Sequence, residues 1–261
     1  MDWETVKLDI MDNGVAVLTF NRPEALNSVN QQFCYDVPAA CKVVAERDDI
    51  KVLIVTGAGA GWSSGGDIST LFGMKDPIDA KETYDFSTGI VNAIYELNKP
   101  VIAAVNGAVA GASTATCLAC DLIIASEKAR FGFTFMQVAF CPDSGTSYFL
   151  TQKVGYHKAA EILWFGKILK ADEANELGLV NKVVPHDELM AEAIRWAEKL
   201  AQAPLVTVGL DKKLLRASLK NDYYQQAELE ATYQVLTWSS EDFKEGCMAF
   251  KEKRKPNFKG K

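Results

Sequence analysis

Short β-branched runs alternate with helix-like spacing through the first 155 or so residues. Residues 15–20 (VAVLTF), 52–56 (VLIVT), 101–105 (VIAAV) and 122–125 (LIIA) are apolar stretches bounded by turn residues, and each predicts a strand. Between the first two, residues 30–45 bring Phe33, Val37, Ala40 and Val44 to helical spacing. Residues 80–97 and 111–120 are further helix-compatible segments. Strands recurring with helices between them predict an α/β domain, not a bundle. No fixed-period repeat or low-complexity segment is visible.

Beyond residue 155 the pattern turns helical. Residues 158–165, 171–177 and 187–202 predict helices, the last opening at Asp187 with Leu189, Ile194, Ala197 and Leu200 on one face. Pro204 breaks the run, and 205–219, 222–238 and 240–253 continue it. The expected organisation is an α/β body over residues 1–200 and a helical region over 201–261. Terminal helices without a core of their own often pack between subunits, so an oligomer is expected.

Composition narrows the choice. Hydrophobic residues at 48% and charged residues at 24% suffice for a sizeable core in 261 residues, which excludes disorder as the main state. Lys and Arg number 28 against 34 Asp and Glu, a net charge of −6, which argues against nucleic acid as the partner. A small phosphorylated ligand held by a local basic cluster stays open. The longest charge-free stretch, residues 101–120, carries Asn106, Ser113, Thr114 and Thr116 behind Pro100. A buried strand followed by a buried helix suits it better than a membrane span of about 20 residues. The opening MDWETVKLDI has acids and no apolar centre, so no secretory signal is expected. Six cysteines (34, 41, 117, 120, 141 and 247) read as buried, reduced thiols in a cytoplasmic protein. Cys117 and Cys120 have CxxC spacing without a second pair or a nearby His, so no metal site is expected.

Three segments could carry chemistry. Gly57-Ala-Gly-Ala-Gly61 follows a strand, but a dinucleotide fingerprint needs glycine at 62, which is Trp. The following Ser63-Ser-Gly-Gly-Asp67 permits a backbone that turns consecutive N–H groups toward a ligand. In the second segment a strand ends at Asn106-Gly107 and small residues through Ala112 open a helix, whose first N–H groups are free and partly positive. Tight helix–sheet packing would use the same small residues. The third is Pro142-Asp143-Ser144-Gly145, where residue type alone suggests that Asp143 caps a helix starting at Thr146.

Arg22-Pro-Glu-Ala-Leu-Asn27, Trp62-Ser-Ser-Gly-Gly-Asp-Ile68, Lys99-Pro-Val-Ile-Ala-Ala-Val-Asn-Gly107, Cys120-Asp121, Phe131-Gly132, Glu245-Gly246, Phe250 and Arg254-Lys-Pro256 stand in one order and spacing. Over nearly the whole chain they resemble the crotonase, or enoyl-CoA hydratase/isomerase, family. The resemblance implies a crotonase (ClpP-like) spiral of β-β-α units, a C-terminal helical trimerisation region, and a homotrimer or hexamer. It implies an acyl-CoA thioester substrate, with coenzyme A arriving as part of it and no other cofactor. The thioester oxygen would be held by the N–H groups of Gly66 and Ala112, where many relatives have glycine at the second position. Ser64, Asp67, Ile68, Ala25 and Phe135 would contact the substrate, Asp67 and Ile68 through their backbones at the adenine end. Lys253 and Arg254 are candidates for the CoA phosphates.

Hydratases of this family use two glutamates, and the matching positions are Ala115 and Phe135, neither of which transfers protons. Asp143 matches the single carboxylate of an isomerase branch, and apolar neighbours would raise its pKa. One carboxylate suffices for a proton shuttle between two carbons. A dehalogenase branch also has Asp at this position, with a His partner; here His157 and His186 read as surface or capping residues. Cys141 reads as a small buried thiol rather than a nucleophile. Trp164 and Tyr84 suit the acyl pocket or the core equally, and Phe131, Phe133 and Phe135 favour a flat acyl group.

Overall fold

The computed structural model describes residues 1–260, with all their side chains except those of Ile68 and Leu71. Pairs of strands followed by helix recur four times. The first turn is β1 (Val6–Ile10), β2 (Val15–Phe20) and α1 (Gln31–Glu46). The second is β3 (Val52–Gly57), β4 (Gly61–Ser63), α2 (Ile68–Gly73) and α3 (Pro77–Tyr95). The third is β5 (Val101–Val105), β6 (Ala108–Ala110) and α4 (Ser113–Ala119). The fourth is β7 (Leu122–Ser126), β8 (Arg130–Gly132), α5 (Thr146–Val154) and α6 (Tyr156–Trp164). The chain continues through β9 (Ile168–Lys170), α7 (Ala171–Glu176), β10 (Lys182–Val184) and α8 (Leu189–Ala201). It ends in α9 (Leu205–Ala217), α10 (Tyr223–Trp238) and α11 (Glu241–Glu252).

In the second to fourth turns the first strand enters a six-stranded sheet, ordered β1-β2-β3-β5-β7-β10, and the second enters a four-stranded sheet, β4-β6-β8-β9. Pairing is parallel except between β1 and β2 and between β8 and β9. Each turn therefore advances one strand in both sheets, which makes a spiral. The central strands are buried on both faces, which is why they read as unbroken apolar runs. Leu53, Val55, Ala103 and Val105 pack with Phe33, Val37 and Val44 of α1. The other face, with Ile54, Ile102 and Ile124, packs on Leu189, Ala193 and Ala197 of α8. Trp62 sits edge-on to Phe20 at 4.8 Å and its indole N–H donates to the Val55 carbonyl at 3.2 Å.

Several expectations change here. The glycines at 57–61 join β3 to β4 and open no helix, so the dinucleotide fingerprint does not apply. Cys141 and Cys247 are exposed, not buried. Residues 101–120 form β5, β6 and α4, a buried strand and helix as the sequence suggested. Among the described residues no helix is long and apolar enough to cross a membrane.

α9 is held to the body by charge. Lys212 Nζ lies 2.6 Å from Asp121 Oδ2 and donates to the Lys99 carbonyl, while Arg216 reaches Asp121 Oδ1 at 3.1 Å and lies 3.7 Å from the Tyr95 ring centre. The Lys212 side chain is only 7% exposed. Removing one partner of a buried pair leaves the other underpaid, though Asp121 would keep Arg216. Lys212→Met is expected to cost about 2 kcal/mol in urea unfolding at pH 7; unchanged stability would mean that apolar contacts alone hold α9.

Candidate active site

Two glycine-bearing segments meet beside β4 and β6, and glycine is what lets them approach. Gly65 has φ +91°, and a Cβ there would lie 2.6 Å from the Ala110 carbonyl oxygen. Conformation and space both demand glycine. Ser63 donates to the Asn27 carbonyl at 2.7 Å, which uses its one proton, so Ser113 donates across the seam to Ser63 at 2.6 Å. A third strand of chain fixes the loop: Val29 N–H donates to Gly65 O at 2.8 Å, and Asp67 N–H to Val29 O at 2.9 Å.

That register takes the Gly65 carbonyl and the Asp67 N–H and leaves the Gly66 N–H between them unused. Among the described residues, neither the Gly66 nor the Ala112 N–H donates to an internal acceptor. Both residues border one cavity of about 360 Å³, to which α3 contributes Tyr84, Phe86 and Ser87.

Asp143 borders the same cavity. It sits in a turn where Ser144 (φ 51°) and Gly145 (φ 91°) are both left-handed. Its carbonyl oxygen, not its carboxylate, accepts the Thr146 N–H at 2.8 Å, and α5 has no side-chain cap. The capping role suggested by residue type thus belongs to the backbone. The carboxylate is left over, with Oδ1 buried and unpartnered. Burial pushes its pKa up to about 6, against a smaller pull from its own backbone N–H. Burial and the Asp143 charge together raise the Tyr84 hydroxyl.

A second acid on this cavity is in the opposite situation. Asp67 caps α2 and accepts the Ser69 hydroxyl at 2.6 Å and N–H at 3.1 Å, the Ser28 hydroxyl at 3.1 Å and Arg22 at 3.3 Å. The Ser69 hydroxyl foremost holds its carboxyl below the usual range. Its side chain is occupied by the fold.

The remaining candidates scatter. Ile68 opens α2, and its side chain lies outside the described residues. Ala25 and Ser64 are half-buried outside the cavity walls, with Ser64 N–H bonded to Leu26 O. Phe131 and Phe133 belong to the core, and Phe135 is buried away from the cavity. The aromatic walls are Tyr84 and Phe86 instead, so those three phenylalanines do not shape the acyl site. Ala115 is enclosed by Val91 and Ala119. Trp164 is 64% exposed, in neither pocket nor core. Lys253 and Arg254 are exposed at the end of α11, Arg254 pairing with Glu245 and Glu252. His157 and His186 are exposed and away from the cavity, with His186 Nδ1 3.0 Å from Ser126 Oγ. Sequence reasoning passed over Cys34 and Phe86, which border the cavity. Burial pushes the Cys34 thiol up to about 11, so it stays neutral and acts as a small apolar wall.

A sequence profile described as enoyl-CoA hydratase/isomerase matches residues 11–261. The chain belongs to this family. It is 35% identical to the 1,2-epoxyphenylacetyl-CoA isomerase of Escherichia coli (strain K12), over 97% of this chain and 98% of that one. It is 34% identical to a probable enoyl-CoA hydratase of Rhodobacter capsulatus, over 100% of both chains. The solved enoyl-CoA hydratase from Bacillus anthracis superposes with a TM-score of 0.94 at 30% identity, covering 99% of this chain and 100% of that one. The spiral is therefore the crotonase fold.

Two outcomes follow for this member of the enoyl-CoA hydratase/isomerase family. Gly65→Ala is expected to part the two segments and lower kcat/KM about a hundred- to a thousandfold, on the order of one lost amide contact, as measured by steady-state kinetics on an enoyl-CoA. The second concerns stability. A carboxyl titrating near 6 when folded and 3.8 as a free side chain lets the native state bind more protons between those values. Stability therefore falls as pH rises through that window and stays lower above it. Asp143→Asn should stabilise the fold by up to about 3 kcal/mol at pH 8 and by nothing below pH 3.5, as read by thermal melting across pH.

Proposed function

We propose that the protein is an acyl-CoA isomerase that moves a double bond from the 3,4 to the 2,3 position through a thioester enolate. The carrying observation is a carboxylate, Asp143, whose Oδ1 is buried and unpartnered, on a cavity also bordered by Gly66 and Ala112, whose N–H groups have no internal acceptor among the described residues. In this reading the thioester oxygen accepts both N–H groups. Asp143 takes a proton from C2, the electron pair moves onto the oxygen, and the enolate extends over the C3–C4 double bond. The same proton returns at C4, and the double bond rests between C2 and C3. Each amide is worth about a hundred- to a thousandfold in rate, because the charge it meets is larger in the transition state than in the substrate.

A pKa near 6 suits this base: it is ionised at neutral pH yet binds a proton better than an ordinary aspartate. No metal or redox cofactor enters the route, and coenzyme A comes and goes with the acyl group. Relatives named 1,2-epoxyphenylacetyl-CoA isomerase and trans-2-decenoyl-(acyl-carrier-protein) isomerase support the reading. Relatives named enoyl-CoA hydratase favour a second one, addition of water to 2-enoyl-CoA through the same enolate. Against hydration by a glutamate pair, the residues that would have to supply it are Ala115 and Phe135. We also assign residues 201–261 to assembly as a trimer or hexamer, since α10 buries no residue within the chain and leaves Val235, Leu236 and Trp238 more than half exposed.

Incubation with 3-enoyl-CoA and, separately, 2-enoyl-CoA in deuterated water separates the readings. The expected product from the first is 2-enoyl-CoA, formed with a kcat/KM that rises through pH 6 to a plateau. Asp143→Asn should lower this rate about a hundred- to ten-thousandfold. A 3-hydroxyacyl product instead would establish hydration, and binding without turnover would contradict both.

A further inference from the structure

The Asp143 carboxylate has no hydrogen bond that fixes Oδ1, so its aim depends on the backbone that carries it. That backbone is unusual. Ser144 holds φ 51°, a conformation that residues with a Cβ rarely keep without outside support. The support is visible: Ser144 Oγ lies 2.7 Å from Ser87 Oγ, across 57 positions of sequence. Among the described residues this is the one side-chain hydrogen bond between α3 and the turn. Ser87 borders the cavity one helical turn from Tyr84, so the bond sits on the α3 face that closes over the site.

Resting on the isomerase reading, we propose that Ser87 is a positioning residue, which through the Ser144 hydroxyl sets the aim of Asp143. The arrangement has a chemical advantage. A hydrogen bond donated directly to the carboxylate would steady it but also lower its pKa and weaken it as a base. Bonding the neighbouring residue steadies the carboxylate without touching it. Because α3 also carries Tyr84 and Phe86, an acyl group filling the cavity presses on the same helix that latches the base. Placement of the acyl chain and placement of the base are thereby linked.

The test uses the full chain with 3-enoyl-CoA and four variants, Ser87→Ala, Ser87→Thr, Ser144→Ala and the double alanine variant, with Asp143→Asn as reference. Loss of the latch should lower kcat about ten- to hundredfold with KM within twofold. The acid limb of the kcat profile should move below pH 6 as the loosened carboxylate gains water. Ser87→Thr, which keeps a hydroxyl, should restore most of the rate. The double variant should be no slower than Ser144→Ala, because one bond is lost in both. A wild-type kcat and acid limb in Ser87→Ala, while Asp143→Asn abolishes turnover, would overturn the positioning role and leave the isomerase reading intact. Turnover that survives Asp143→Asn would overturn both.

Discussion

Everything at the site depends on how closely two loops can lie. With no side chain at Gly65, the segment after β4 rests against the Ala110 carbonyl, and Ser113 closes the seam through Ser63. A methyl group at position 65 would occupy the space that brings the Gly66 and Ala112 amides to one cavity. Main-chain donors suit this task because the sheet fixes them before any ligand arrives. They need no reorganisation when charge develops on a bound oxygen. The spiral supplies the rigidity: β4 and β6 are adjacent parallel strands, so the residues that follow them are adjacent too.

Two of the acids on this cavity, Asp67 and Asp143, stand in opposite environments. Asp67 is saturated by hydroxyls, an amide and Arg22, and its charge is stabilised. Asp143 is desolvated, its Oδ1 has no partner, and its charge is penalised. In the isomerase reading, this divergence separates an acid that serves the fold from one that serves the chemistry. The penalty is borne by the fold: an unpaired buried carboxylate reduces stability at neutral pH. A parallel sheet buried on both faces leaves room for that cost.

Much of the fold was legible because β2, β3, β5 and β7 are long enough to read as apolar runs, and because α1 and α8 carry clear apolar stripes. The strands of the smaller sheet have three residues each, too few for any period to show. β1 was legible and passed over, since Val6 and Leu8 alternate with exposed Lys7 and Asp9. The spiral left no sequence period because its turns differ in length, with 16 residues in α1 and 7 in α4. At the site, the glycine segments and Asp143 stood out through their resemblance to a family. Residue type alone pointed Asp143 toward a cap that its own carbonyl supplies. Phe131 and Phe133, two apart, face the same way, and that way is the core. The wall that replaced them comes from α3, where Tyr84 stood among the candidates for pocket or core and Phe86 was passed over.

A structure with a bound, non-isomerisable acyl-CoA analogue tests this geometry most directly. The thioester oxygen should sit about 3 Å from the nitrogens of both Gly66 and Ala112, with an Asp143 oxygen facing the edge of the acyl chain between C2 and C4. A thioester oxygen bound by other groups, or an Asp143 carboxylate turned from the chain, would contradict the account.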